Sequence, residues 1–267
     1  ANTLPYIPHR VDEGYGLSEK GIENLLATTP PRLIITVDNG IVAHASVNIA
    51  KAHGIDVIIT DHHLPDADHG VPKALAIIHT TALCGSSVAL LFSKEIKDQI
   101  LQTTSSFDPE HIVLAALATV ADLVPLTNAN RTILKEGLVL IDASKRPGLR
   151  ELLLVSGIAD KKIGVYEIGH IISPRLNAAG RIESGMDSLR LLCTKDKNKA
   201  KNLAESLDEI NKRRQILMKD SANLAIEAVR DIQEDKKIII IEKEEFEEGI
   251  IGLVAGKMVE EFYKPSI

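Results

Sequence analysis

The sequence predicts an α/β fold with a mostly parallel sheet, then a long helical connector and the start of a smaller α/β unit. Three observations predict it. Short runs rich in β-branched residues alternate with stretches of helical spacing, the runs end in turn formers, and acids and histidines stand directly after those ends. Strand, helix and strand within about 30 residues make a βαβ unit, which requires parallel strands buried on both faces.

The elements follow in order. Arg32 to Gly40, RLIITVDNG, reads as a short buried strand halted by Asn39-Gly40. Ala43 to His53 has helical spacing, and Gly54 closes it as a C-cap. Ile55 to Thr60 is the next strand, ended by Asp61-His62-His63. His111 to Leu123 is an apolar helix-like run that carries Asp122 near its end. Lys197 to about Asp235 sets Leu, Ile and Ala at helical spacing among many charges, without Pro or Gly. That pattern predicts one long helix or two abutting ones, suited to joining domains. Lys236 to Glu242 reads as a strand, Glu248 to Lys257 as a glycine-punctuated turn entering a helix, and Pro265-Ser266-Ile267 as the start of a further strand. The expected division is therefore residues 1–195, a connector over 196–235, and a partial second domain over 236–267.

Composition bounds the function. The chain has 267 residues, 45% hydrophobic and 25% charged, enough to bury a sizeable core. It shows no run long enough to cross a membrane and no signal-peptide pattern, so no membrane association is expected. Cys84 and Cys193 are too few for a disulfide framework, and a reducing cytoplasm fits them. The net charge of −6 excludes whole-surface attraction to nucleic acid and confines any such attraction to a local basic groove. With 3% aromatic residues and no Trp, an extended base-stacking platform is poorly supplied.

In open α/β sheets functional residues lie just beyond the carboxyl ends of the strands. Asp38 and the Asp61-His62-His63 cluster are both placed there. Mixed carboxylate and imidazole ligands suit Mn²⁺ and similar ions, and two ions held by carboxylates can assist hydrolysis at phosphorus. Asp38, Asp61, His62, His63 and Asp122 are the right residue types. Each has a plainer reading as well: Asp38 before Asn-Gly as a turn former, a histidine as an ordinary surface or core residue, Asp122 as the N-cap of a following turn. Buried without a partner, Asp122 would cost several kcal/mol, so a cation or hydrogen-bond partner is expected.

Eight segments together resemble the DHH phosphoesterase superfamily, and within it the RecJ-like single-stranded-DNA-specific 5′→3′ exonucleases. They are YIPHRVDEGYGLS (6–18), LIITVDNGI (33–41), DVIITDHHLP (56–65), LCGSSVA (83–89), ALATVADLVPL (116–126), RPGLRELL (146–153), SPRLNAAGRI (173–182) and EEGIIGLVAGK (247–257). The resemblance implies that Asp38, His62 and Asp122 bind Mn²⁺ or Mg²⁺, with Asp61 and His63 completing or supporting the centre. It implies that Arg175, Asn177 and Arg181 hold substrate phosphate, and that Gly249 and Gly252 let backbone amides approach a phosphate in a DHH-associated domain. The implied substrate is single-stranded DNA, digested to nucleotides in repair and recombination. Single-strand-binding protein and a helicase are possible partners on the same ground, and the oligomeric state is left open. Lys257 and Lys264 are expected to face Arg175 and Arg181 across a cleft.

The chain departs from the family pattern at three places. No Asp-rich strand motif precedes Tyr6, the loop between Ile78 and Leu83 is short, and Phe246-Glu247 stands where the family carries Trp-His. The expectation is a RecJ-like core lacking the N-terminal acids, with weak or single Mn²⁺ binding and little turnover. Two other readings are a DHH phosphodiesterase acting on short oligonucleotides or cyclic dinucleotides, and a catalytically decayed DNA-binding scaffold.

Overall fold

The computed structural model describes residues 3–10, 12–182, 184–230 and 237–267. Helix α1 (Glu19–Thr28) is capped by Ser18, whose hydroxyl accepts from the Gly21 amide. It leads to strand β1 (Leu33–Val37), helix α2 (His44–Ala52), strand β2 (Asp56–Asp61) and strand β3 (Ala76–His79). The three strands form one parallel sheet in the order β1-β2-β3. The βαβ reading therefore holds, with Gly54 in the left-handed conformation after α2. Strand β3 follows β2 without a helix between them, and the sequence reading did not place it.

One sheet face is closed by α1 and α2. Ile34, Val57, Ile59 and Ile77 pack there with Ile22, Val47 and Ala50. Helix α3 (Gly85–Leu101) lies against the strands as well. The alternation of strand side chains explains why β1 reads as half-buried: Thr36 is covered, while Leu33, Ile35 and Val37 on the other face are 42%, 44% and 50% exposed.

The larger core is helical. Helix α4 (Pro109–Ala121) starts two residues ahead of the expected apolar run, because Asp108 caps it and Pro109 fits its first turn. Its nearly all-round apolar surface is buried chiefly by α3 and α5 (Asn128–Leu140), and α6 (Pro147–Val155) joins the same core. A π-helical turn over Glu167–Ile172 runs directly into α7 (Ser173–Ile182), followed by α8 (Met186–Cys193).

Helix α9 (Lys197–Arg230) is a single 34-residue helix, about 50 Å long at 1.5 Å per residue. It is more than a spacer. Ala200, Ala204, Leu207 and Ile210 recur at three- and four-residue steps and are buried in the main core. Ala225, near its other end, packs in a separate small core with Ile239, Val254 and Met258 of the C-terminal segment. That segment contains α10 (Ile251–Phe262). The strand expected over 236–242 is corrected: the described part forms a single parallel bridge, Ile239 with Ser266. Hydrogen bonds from Ile239 N to Pro265 O, Ile267 N to Ile239 O and Ile241 N to Ile267 O tie the two segments. Residues 231–236, where the helix end and strand start were expected, lie outside the described residues.

The burial of α9 makes a direct prediction. Leu207→Ala should cost about 2–5 kcal/mol in urea unfolding, as large-to-small core substitutions do. Ile216→Ala, at a residue 61% exposed on the same helix, should stay within about 0.5 kcal/mol of the parent. Equal small effects would make α9 a free strut.

Candidate metal centre and phosphate-facing cavity

Two parallel strands deliver the first acids to one edge. Asp38 follows β1 with φ 67°, a left-handed conformation rare outside glycine, while its amide continues the ladder by donating to Thr60 O at 2.9 Å. Asp61 ends β2 and is 1% exposed. Its Oδ2 accepts from the Ile41 amide at 2.8 Å. Its Oδ1 accepts from the His62 and His63 amides at 2.7 and 3.3 Å and lies 2.8 Å from His63 Nδ1. Burial alone would raise the Asp61 pKa, but the hydrogen bonds from His63, Ile41 and His62 outweigh it and leave the carboxyl below its ordinary value. The same hydrogen bond to Asp61 raises the His63 pKa. At the end of β3, His79 Nε2 donates to His63 O at 2.7 Å, so the third strand also steadies this loop.

His62 turns the other way. Its Nε2 lies 3.0 Å from Asp38 Oδ1 and 3.4 Å from Asp122 Oδ2. Asp122 is the C-cap of α4, which disposes of its reading as an N-cap. Ligand atoms of Asp38, His62 and His63 all lie within 4.8 Å of one another. Loss of water around Asp38 raises its carboxyl pKa; His62 offsets part of this, and Asp122 adds to it.

His62 Nε2 tests whether a cation fits. It is buried and makes no hydrogen bond of acceptable geometry, although two carboxylate oxygens flank it. A cation shared by those atoms would satisfy the nitrogen and neutralise the two acids. A mixed oxygen and imidazole set suits Mn²⁺ and accommodates Mg²⁺. Asp61 belongs to the expected ligand set by residue type, but its oxygens are already taken by four donors. Those contacts orient both histidines.

Beside the acids opens a cavity of about 740 Å³, lined among others by Arg10, Tyr15, Asp38, Asp122, Asn177 and Arg181. Arg181 has its pKa lowered, first by burial and then by the nearby Arg10 charge. Arg214 of α9 is lowered by burial and by Arg181. The Arg10 guanidinium sits 4.5 Å from the centroid of the Tyr15 ring. Arginines and carboxylates thus line one cavity, an arrangement that favours an anion bridging between arginine and a bound cation. Arg10 and Tyr15 lay within the quoted segment 6–18 but received no role from the sequence. Their signal was the pair of glycines around Tyr15, both at positive φ, which fold the segment back over the cavity.

Three expected phosphate-binding residues are placed differently. Arg175 does not line the cavity: its Nε donates to Asp208 Oδ1 at 2.8 Å and its Nη1 to Ile171 O at 2.8 Å. It joins the Ile171 carbonyl to Asp208 of α9, from a face of α7 about 120° around the helix from Arg181. Gly249 packs on main chain, where an added Cβ would lie 1.9 Å from Arg181 O. Gly252, in the first turn of α10, has nothing within 4 Å of an added Cβ and is absent from the cavity wall. Lys257 and Lys264 are not in that wall either, and Lys257 Nζ lies 3.1 Å from Glu260 on its own helix.

Residues 1–119 match the DHH family, N-terminal domain. The chain is similar to that family over those residues. It is 37% identical over 275 residues to the single-stranded-DNA-specific exonuclease RecJ of Bacillus subtilis, covering 98% of this chain and 33% of that protein. A crystal structure of exonuclease RecJ bound to manganese superposes with a TM-score of 0.85 at 33% identity, over 98% of this chain and 66% of that one. RecJ of Thermus thermophilus in complex with Mn²⁺ gives 0.78 at 33% identity, over 91% of this chain and 36% of that one. The chain spans a third to a half of the length of such curated relatives, 33% to 49%. These matches show the DHH α/β fold, and the manganese in the solved RecJ structures agrees with the donor set.

The Arg175–Asp208 pair, with side chains 15% and 9% exposed, predicts stability effects rather than substrate effects. Arg175→Ala should cost about 3 kcal/mol, the low end for breaking a buried pair, because Lys212 stays 2.7 Å from Asp208. Asp208→Ala should cost a similar amount, and the double variant less than the sum. Strictly additive costs in a double-mutant cycle of denaturant melts would remove this anchoring role.

Proposed function

We propose that this chain is the catalytic core of a metal-dependent exonuclease acting on single-stranded DNA from the 5′ end. The observation that carries this reading is the cavity lined by Arg10, Arg181, Asp38 and Asp122, the last two with His62 Nε2 between their carboxylates. Asp38, His62, His63 and Asp122 hold the cation, and Asp61 keeps the two histidines in place. When bound, Mn²⁺ or Mg²⁺ supplies Lewis acidity and lowers the pKa of water for attack at phosphorus. Arg181 and Arg10 take a phosphate of the strand, with Asn177 beside them as a neutral donor. Tyr15 fixes the Arg10 guanidinium by its ring face.

Selectivity for one strand follows from shape. Binding relies on backbone charge, which every sequence shares, and on a cavity closed in by the 6–18 segment and α7. Side chains gather at one point, which suits one firmly held ion, so turnover by this stretch of chain is expected to be slow. Dependence on metal, strand and arginine is therefore a better test than absolute rate. No helix among the described residues is long and apolar enough to cross a membrane. Single-strand-binding protein and helicase partners remain part of the proposal, as does a cytoplasmic location.

The test uses 5′-phosphorylated oligonucleotides with Mn²⁺. Release of nucleotides from single strands should stop with a chelator, and His62→Ala or Asp122→Ala should lower it by about 100-fold or more. Equal digestion of duplex, or digestion without metal, would overturn the reading. Arg181→Ala should weaken single-strand binding for any sequence and reduce the slope of log affinity against log salt by about 0.7. Arg175→Ala should leave that slope unchanged.

A further inference from the structure

Gly85 is the first residue of α3, and its backbone is not in the left-handed region that calls for glycine. Alanine is ordinarily the better helix residue, by about 1 kcal/mol in helix interiors. Space explains the glycine better than conformation does. A Cβ added at Gly85 would lie 2.1 Å from Asp38 Oδ1 and 2.5 Å from both Asp38 Cβ and Cγ. Because Asp38 Cβ is among the atoms met, rotation of the carboxylate alone does not relieve the collision.

Neither side can retreat easily. Asp38 is held by its amide bond to Thr60 O and by an unusual backbone conformation. The first turn of α3 is pinned from behind by a buried cluster: Cys84 Sγ donates to Ser87 Oγ at 3.3 Å, and Ser87 Oγ lies 3.4 Å from Thr119 Oγ1. Thr119 belongs to α4, one turn before Asp122, and donates to Ala115 O at 2.7 Å. The turn bearing Gly85 is thus clamped between the element that carries Asp38 and the helix that ends in Asp122.

We propose that Gly85 is a positioning residue of the metal centre: its missing side chain lets Asp38 seat against α3 with its carboxylate turned to His62. The inference rests on the reading of Asp38 as a metal ligand and adds a residue that makes no contact with the cation itself. Any side chain at this position pushes Asp38 away from His62 while leaving the other ligands where they are.

The experiment combines Mn²⁺ titration by calorimetry with thermal unfolding in chelator, on the parent chain, Gly85→Ala, Asp38→Gly and the double variant. Gly85→Ala should weaken Mn²⁺ binding about 10- to 100-fold, the range for residues that orient metal ligands. In chelator it should lower Tm in the parent background and much less in the Asp38→Gly background, where the colliding atoms are gone. If Gly85→Ala alone does not fold, recovery of folding in the double variant supports the contact. An equal loss of Tm in both backgrounds, or Mn²⁺ affinity unchanged by Gly85→Ala, overturns the positioning role. A parent chain that binds Mn²⁺ no better than Asp38→Gly overturns the metal-centre reading instead, and the Tm comparison then still decides whether Gly85 seats Asp38.

Discussion

The buried carboxylate of Asp61 is the constraint on which the site depends. An ionised group this enclosed is tolerated only when donors surround it. The donors are the amide of Ile41 beyond β1, the amides of His62 and His63, and the His63 ring. Satisfying one charge therefore locks the ends of two neighbouring strands together and sets the direction of both histidines. His63 is held toward Asp61, which leaves His62 turned toward Asp38 and Asp122. A neutral residue at this position would relax the loop and release both histidines.

Charge is distributed with the same economy. The chain as a whole is negative, yet one cavity is lined by both carboxylates and arginines. Crowding Arg10, Arg181 and Arg214 together is unfavourable in isolation, as their mutual effects on pKa show. A bound cation and a phosphate would relieve both sets of charges at once. Such an arrangement has the form that electrostatic preorganisation takes.

Helix α9 holds this arrangement from outside. Its buried Asp208 takes Arg175 and Lys212, its small residues admit close packing, and its far end carries the C-terminal segment. Gly249 brings that segment onto the carbonyl of Arg181. The C-terminal segment thus contributes packing behind a cavity residue, whereas the family resemblance implied a phosphate contact.

The sequence by itself determined the βαβ unit, the helices at α2, α4 and α9, and the places of Asp38, Asp61, His62, His63 and Asp122 at element ends. Those features are local: strand and helix periodicity, Asn-Gly and Gly punctuation, and caps all act over a few residues. Short Ala76–His79 escaped notice because four residues give too little periodicity. Over 237–242 the structure holds a single parallel bridge, Ile239 with Ser266, in place of the expected strand. Only the tertiary structure decided which members of each motif face the cavity. Arg175 and Arg181 look equivalent in PRLNAAGR, but the rotation of α7 against α9 gives the first to Asp208 and the second to the cavity. Asp61 and His62 are adjacent, yet amides enclose the first while the second reaches Asp38 and Asp122. Such roles depend on what surrounds a side chain in space, and residues far apart in the chain supply those surroundings.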